Sequence, residues 1–322
     1  MRLSTGMIYD QQMRGIQTSQ ASWLKVGQQL ATGNRVNSPS DDPVAAAQAV
    51  VVSQSQAATE QYKTARVFAT QNQSTEETTL KQAVDVIISA KTTVVAASNG
   101  TLSDDDRTSY ATQLEGIRAQ LLNLANSTDG NGRYLFAGYE SDKAPFTTDA
   151  TTGDTTYNGG SSPITQKVDA SRTLTVNHTG KQVFDSLTSS AQKEPDGTPS
   201  ESNIFTILDT AIKSLKVPLN DADQTAIDAQ AVQMGKANRG LSNAQENVSK
   251  VRAEIGTNLD ELSKLDAKGD DTILNLKTQM SGLIGADTTE TISSYTMKQA
   301  ALQASYTVFQ QMSKLSLFNL NS

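Results

Sequence analysis

The chain has 322 residues, with 27 Lys and Arg against 34 Asp and Glu, so its formal net charge is −7. This balance leaves no global basic field for nucleic acid or for an anionic membrane surface. The chain has no cysteine and one histidine, so disulfides and thiolate sites are excluded, and neither a triad nor a multi-histidine metal site can be assembled from His178 alone. A carboxylate-only site stays open, but we expect no enzyme, no metal and no cofactor, and we expect His178 in an exposed turn.

The first predicted element is a helix near the N-terminus. Tyr9, Ile16, Trp23 and Leu30 recur every seven residues, which is the spacing of a coiled-coil face. The apolar stripe is narrow and flanked by Ser, Thr and Gln, and an isolated helix of this kind is marginal in water. We therefore expect this face to be buried against another helix.

The next two elements are also predicted helices. Residues 44–99 contain neither proline nor glycine, which permits one long helix with Ser40 or Asp41 as its cap. Another helix is expected to begin after Ser103, whose hydroxyl can cap it and which precedes three aspartates that favour the positive end of the helix dipole.

The middle of the chain has a different amino-acid composition. From 137 to 202 it is rich in Gly, Thr, Asp and Pro, and residues 173–177 alternate polar and apolar side chains as a half-buried strand does. We predict a small inserted β-rich domain here.

Helical periodicity returns at 203 and continues to the end of the chain. Beyond Pro218 a row of apolar residues recurs every seven positions, and alanines between them indicate close helix packing. The row consists of Ile227, Met234, Leu241, Val248, Ile255 and Leu262. Near the C-terminus Tyr295, Leu302 and Phe309 repeat the same spacing, with Tyr306 and Leu315 close by.

The two ends of the chain are nearly neutral. Residues 1–43 carry four basic and three acidic side chains, and residues 285–322 carry two of each, so the middle holds a net charge of −8. Neutral helices can crowd together with little repulsion. The terminal helices either pair only within one chain, or pair with each other and then with neighbouring subunits; the charge distribution favours the second alternative.

These elements predict a mainly α fold, a long helical bundle with coiled-coil terminal helices and a small inserted β domain. The expected domains are a terminal-helix assembly domain (1–43 plus 285–322), a helical bundle domain (44–136 plus 203–284) and the inserted domain (137–202).

The segment between the first two helices resembles the signature of the flagellin superfamily at the same place. Its matching residues are Gly33, Arg35, Asn37, Ser38, Asp41 and Asp42, and Pro39 and Pro43 stand where the hook-filament junction proteins, rather than flagellin itself, have them. Residues 132–139 with Pro145-Phe146, and residues 300–306 with 315–318, are similar to that family's entry into its middle domain and to its closing helix. The resemblance spans essentially the whole chain.

The resemblance implies a structural adaptor at the hook-filament junction of the bacterial flagellum, required for filament assembly and anchoring. It implies a ring of copies, hook-associated protein 1 on the hook side, flagellin on the filament side, and a cytoplasmic export chaperone on the C-terminal helix. It also implies an extracellular location reached through the flagellar type III apparatus. This agrees with a first dozen residues that lack the apolar stretch of a cleaved signal peptide. No nucleic-acid or membrane partner is expected.

The expected assembly interface consists of Tyr9, Ile16, Trp23, Leu30, Tyr295, Leu302, Tyr306, Phe309 and Leu315. Two other functions stay open at this point: a filament flagellin, and a secreted coiled-coil adhesin or effector.

Overall fold

The computed structural model describes residues 5–220 and 222–318, with the side chains of residues 7–220 and 222–312. The Leu315 side chain, part of the expected interface, lies outside the described side chains. The described elements are α1 (Thr5–Thr32), α2 (Pro43–Ala97), α3 (Asp104–Ala125), β1 (Phe146–Thr148), β2 (Thr155–Tyr157), β3 (Ile164–Asp169), β4 (Arg172–Asn177), α4 (Gly180–Phe184), α5 (Ile204–Lys216), α6 (Gln224–Ile284) and α7 (Thr288–Phe318).

The expected fold class is confirmed: helices dominate, and the strands form two small antiparallel sheets, β1 with β2 and β3 with β4. The contacts divide the chain into two compact units, one of Met1–Glu60 with Gly269–Ser322 and the other of Gln61–Lys268. These units do not test the division into three domains, which stays a prediction.

The first unit contains α1, α7, the start of α2 and the end of α6. Ile16 is buried in it, and so is Val36 in the turn between α1 and α2. Gly33 ends α1 in the left-handed conformation with φ 71°, and its N–H donates to the Gln29 carbonyl, as is usual for a glycine that follows a helix.

The second unit has a core in which α2, α3, α5 and α6 pack together. The seven-residue row of α6 supplies much of it, because Met234, Leu241, Val248 and Ile255 are all nearly inaccessible. Four phenylalanines join the segments around the sheets to these helices, with ring centroids 5.2 to 5.8 Å apart between successive partners. They are Phe136, Phe146, Phe184 and Phe205.

Helix caps follow the sequence in one place and not in another. Ser103 caps α3, where it accepts from the Asp106 N–H while the Asp106 side chain accepts from the Ser103 N–H, as expected. The expected cap of α2 was wrong: Asp42, not Ser40 or Asp41, accepts from the Ala45 N–H. Pro43 as the first helical residue explains this, because its fixed φ sets the helix start one residue after Asp42.

The long helices have many hydroxyl groups on their surfaces. In α2 these side chains donate to the carbonyl four residues earlier, a bond that competes with the regular helix ladder for the same acceptor. Examples are Ser55, Thr59, Thr75, Thr78, Ser89 and Thr92.

Across 5–220 and 222–318, no helix combines the length and the apolar character that a bilayer span requires.

His178 was expected to be exposed, and that prediction was wrong. Only 5% of its surface is accessible, and its ring lies against Glu76 of α2. Its partner is 102 positions away in the sequence, so no local pattern around His178 could reveal it.

Candidate assembly site

The two terminal helices, α1 and α7, form an antiparallel pair. Tyr9 contacts Phe309 with ring centroids 5.1 Å apart, and Trp23 contacts Tyr295 at 5.6 Å. In both helices the contacting residues are fourteen positions apart, which is two seven-residue repeats. The expected rows on α1 and α7 therefore face each other within one chain.

The remaining residues of these rows differ in burial. Ile16 is buried and Leu302 is half-buried, whereas Leu30 and Tyr306 are exposed. The Trp23 indole N–H is enclosed and has no hydrogen-bond partner among the described residues. The pair thus encloses the middle of each row and leaves other apolar side chains uncovered.

Main-chain hydrogen bonds fasten the turn after α1 to the turn before α7. The Arg35 N–H donates to the Ile284 carbonyl at 2.7 Å, and the Ala286 N–H donates to the Gly33 carbonyl at 2.9 Å. Asn34 and Gly285 thereby form an antiparallel bridge. The 33–42 turn, which carries the flagellin-like signature, is in this way attached to the α6–α7 turn.

Asp41 organises the 33–42 turn from inside. Its Oδ2 accepts from the N–H groups of Asn37 and Ser38 at 3.2 and 3.0 Å, and its Oδ1 lies 2.7 Å from Lys25 Nζ on α1. The hydrogen bond from Lys25, followed by that from the Ser38 N–H, lowers the pKa of Asp41 to about 2. The carboxylate therefore stays ionised and joins the turn to α1.

Arg35 and Asp42 complete the signature. The Arg35 guanidinium donates to the Leu283 carbonyl at 3.0 Å and lies 3.4 Å from an Asp42 carboxylate oxygen. The Ala45 N–H, with a smaller contribution from Arg35, lowers the pKa of Asp42. The six signature residues thus have local roles in shaping this turn and attaching it to α6.

Several exposed apolar side chains of the terminal helix pair were missed by the sequence analysis. Leu24 is 57% exposed and Met297 is 66% exposed. Met297 and Val308 are eleven positions apart, three helical turns, so they lie on one face of α7. Only the occurrence of apolar residues outside the seven-residue rows could have revealed them. Met7, Leu24, Met297 and Val308 are of this kind; together with Tyr306, which was expected from the sequence, we call them the outer apolar residues.

Comparison with known proteins gives consistent matches. The model of the bacterial flagellin N-terminal helical region matches residues 3–141. The chain is 55% identical to flagellar hook-associated protein 3 of Salmonella typhimurium and 54% identical to that of Escherichia coli, and each alignment covers 100% of both chains. The crystal structure of the flagellar junction protein FlgL from Legionella pneumophila, 19% identical, has a similar fold with a TM-score of 0.59, over 74% of this chain and 100% of that one.

Proposed function

The chain belongs to the flagellar hook-associated protein 3 family, and on that premise we propose that it is a structural adaptor that joins the hook to the filament of the bacterial flagellum. This family consists of structural flagellar proteins, and the chain is a component of the flagellum. The alternative of a filament flagellin is not favoured, because the full-length relatives are hook-associated proteins.

One observation carries the mechanism: the terminal helices remain apolar on the outside after they have paired. Leu24, Met297 and Val308 are all exposed although the α1–α7 contact already covers Ile16 and partly covers Trp23. A helix that is apolar on more than one side is typical of a helix surrounded by others, and exposed apolar patches mark interaction sites. Other copies of the chain in a ring would supply those neighbours.

The proposed interface therefore has two layers. The inner layer is the α1–α7 contact, made by Tyr9, Ile16, Trp23, Tyr295, Leu302 and Phe309. The outer layer consists of the outer apolar residues with Leu30, and it faces neighbouring subunits. Hook-associated protein 1 on one side, flagellin on the other and an export chaperone on α7 are the proposed partners, and residues 1–43 plus 285–322 are the proposed assembly domain.

We further propose export through the flagellar type III apparatus without a cleaved signal peptide, and no enzymatic role. The sparse charge of the terminal segments supports the assembly role, since like-charge repulsion between copies would be weak there.

Incorporation into flagella tests the proposal. Leu24→Asp places a charge on the outer layer without touching the Trp23–Tyr295 contact, and Val232→Asp is the matched control at a residue of similar exposure, 54%, on α6. Each variant would be produced in a flagellated strain that lacks its own hook-associated protein 3, and its amount in purified hook-filament assemblies would be measured by labelling.

We expect both purified variants to keep wild-type helicity and thermal stability, with only Leu24→Asp failing to incorporate. Trp23→Asp should fail as well, because it disrupts the inner layer. Normal incorporation of a folded Leu24→Asp protein would contradict the outer layer, and normal incorporation of Trp23→Asp would contradict the inner one.

A further inference from the structure

The only histidine of the chain lies in the second unit, between two carboxylates. His178 Nδ1 is 3.0 Å from Glu76 Oε1 of α2, and the His178 backbone N–H donates to the same oxygen at 3.1 Å. On the other side of the ring, Nε2 is 3.6 Å from Glu254 Oε1 of α6, which is an ion-pair distance rather than a hydrogen bond. The imidazole thus connects two helices through one side chain.

His178 lies where the β3–β4 hairpin meets α4, so its contact with Glu76 affects both elements. The residue follows directly on β4 and precedes Thr179, which caps α4. Two more α2 side chains reach the same hairpin, since Arg66 donates to the Val168 carbonyl and Gln73 to the Thr175 carbonyl. Arg66, Gln73 and Glu76 thus hold the β3–β4 hairpin and the residue after it to α2, and of these three contacts the one at His178 can change its charge near neutral pH.

Burial decides which form of the imidazole the site favours. The Glu76 side chain is fully inaccessible, and its Oε2 has no hydrogen-bond partner among the described residues. A buried carboxylate is costly unless a positive charge compensates it. The imidazolium can supply that charge to an ionised Glu76, whereas a neutral ring cannot.

The charged groups around the ring support the same assignment. Glu76 from α2 and Glu254 from α6 face it, while Arg252 of α6 is paired with Glu77. Arg66 of α2 is paired with Asp266. The third neighbouring segment, residues 135–137, contributes main-chain carbonyls to Asn177 and Gly180 and has no ionisable side chain.

We propose that protonated His178 holds the β3–β4 hairpin and the start of α4 against α2 and α6. Deprotonation at alkaline pH then loosens this segment. Burial by itself lowers the pKa of His178, but the hydrogen bond and charge of Glu76, together with the charge of Glu254, outweigh it and raise that pKa above its ordinary 6.5. The folded state binds the proton more tightly than the open state, so the stabilisation is complete below 6.5 and is lost as pH rises through the raised pKa.

The test uses the full chain, in which one histidine gives one set of imidazole resonances. The midpoint of His178 would be measured by NMR between about pH 5.5 and 9, a range in which ordinary carboxyl groups remain ionised. Hydrogen exchange of residues 172–184, corrected for the intrinsic pH dependence, would be measured over the same range, with α5 as the internal reference.

We expect a midpoint above 6.5 and a loss of protection in residues 172–184 around that midpoint, with α5 unchanged. The loss should be about tenfold for each unit by which the midpoint exceeds 6.5, because the two quantities are thermodynamically linked. A midpoint at or below 6.5, or protection that does not change through the midpoint, would overturn the proposal.

Variants distinguish the contributions of Glu76 and Glu254 to the midpoint of His178. Glu76→Gln should bring the midpoint to about 6.5 or below and remove the pH dependence of exchange. Glu254→Gln removes the charge of a side chain that is 54% exposed, so it should preserve the fold and lower the midpoint by less. Glu115→Gln on α3 is the matched control and should leave the midpoint unchanged. If Glu76→Gln does not fold, the wild-type titration and Glu254→Gln still decide, and an unchanged midpoint in Glu254→Gln would contradict the bridge to α6.

Discussion

Trp23 of α1 lies against Tyr295 of α7, with ring centroids 5.6 Å apart and the planes inclined by 36°. Gly27, one helical turn further along α1, leaves room for the tyrosine, because a Cβ there would lie 3.3 Å from the Tyr295 ring. The two large rings can therefore meet while the helices stay close. The contact is central to the inner layer of the proposed interface.

Tyr295→Ala should weaken the α1–α7 pairing. The substitution removes a half-buried ring, so we expect a destabilisation of about 1–2 kcal/mol, less than for a fully buried aromatic residue. The fluorescence of Trp23, the only tryptophan, reports the pairing directly during urea unfolding. Tyr306→Ala on the same helix, at a residue that is 43% exposed, is the control and should change stability by no more than about 0.5 kcal/mol. Equal effects of the two variants would contradict the arrangement.

Acid should release the 33–42 turn only at very low pH. Because Lys25 and the Ser38 N–H lower the pKa of Asp41 from 3.8 to about 2, the ionised carboxylate stabilises the folded turn fully above 3.8, and this contribution is lost as pH falls through about 2. An NMR titration of the Asp41 carboxyl carbon should give a midpoint near 2. Lys25→Ala should raise that midpoint, whereas Lys264→Ala, which removes the partner of Asp260, should not. A wild-type midpoint of 3.8 or higher would refute the assignment.

Gly138→Ala should destabilise the second unit strongly. Gly138 has φ +60°, and a Cβ there would lie 2.7 Å from the Ser162 carbonyl oxygen. Backbone strain and the clash together should cost about 2–3 kcal/mol in denaturant unfolding. Gly153→Ala has a similar φ of +77° but open space around it, so it should cost only about 1 kcal/mol. The difference between the two variants measures the clash, and the absence of a difference would show that the segment can move away.

Ser103→Ala should remove the capping box of α3 and lower the free energy of unfolding by about 1 kcal/mol. Ser109→Ala makes the same chemical change on the same helix, where the hydroxyl donates only to the Asp105 carbonyl, so it should stay within about 0.5 kcal/mol. Thermal unfolding followed by circular dichroism distinguishes the two. A larger effect at Ser109 would mean that the cap is not the source of the stability.

Periodicity predicted the helical framework well, because packing in a bundle imposes a repeat that can be read from one chain. Met234, Leu241 and Val248 are buried as their spacing indicates, and Ser103 caps α3 for reasons contained in four consecutive residues. The same repeat placed Tyr9 and Trp23 on one face of α1 and Tyr295 and Phe309 on one face of α7, and these residues are in contact. It could not show whether the partner of that face belongs to the same chain, because apolar periodicity indicates that a face is buried but does not identify the helix that buries it.

What remained hidden depends on residues far apart in the sequence. His178 was expected in an exposed turn because it ends a strand-like run beside Thr179-Gly180, whereas its contact with Glu76 is made 102 positions away. The bridge between Asn34 and Gly285 is made by main-chain groups, which leave no signal in the side chains. Four of the outer apolar residues could not be predicted either, because Met7, Leu24, Met297 and Val308 fall outside the rows, whereas Tyr306 was expected from the sequence.

The hydroxyl groups along α2 have a mechanical consequence. Each Ser or Thr that donates to the carbonyl four residues earlier, such as Ser55, Thr75 and Ser89, shares an acceptor with the helix ladder, so this long helix is weakly self-supporting. Packing in the second unit therefore contributes to its stability, as at Leu80, Ile87 and Val94, which are fully buried. If α2 were pulled away from these packing partners, it should unfold turn by turn at low force, and it should become a stable helix again only after repacking.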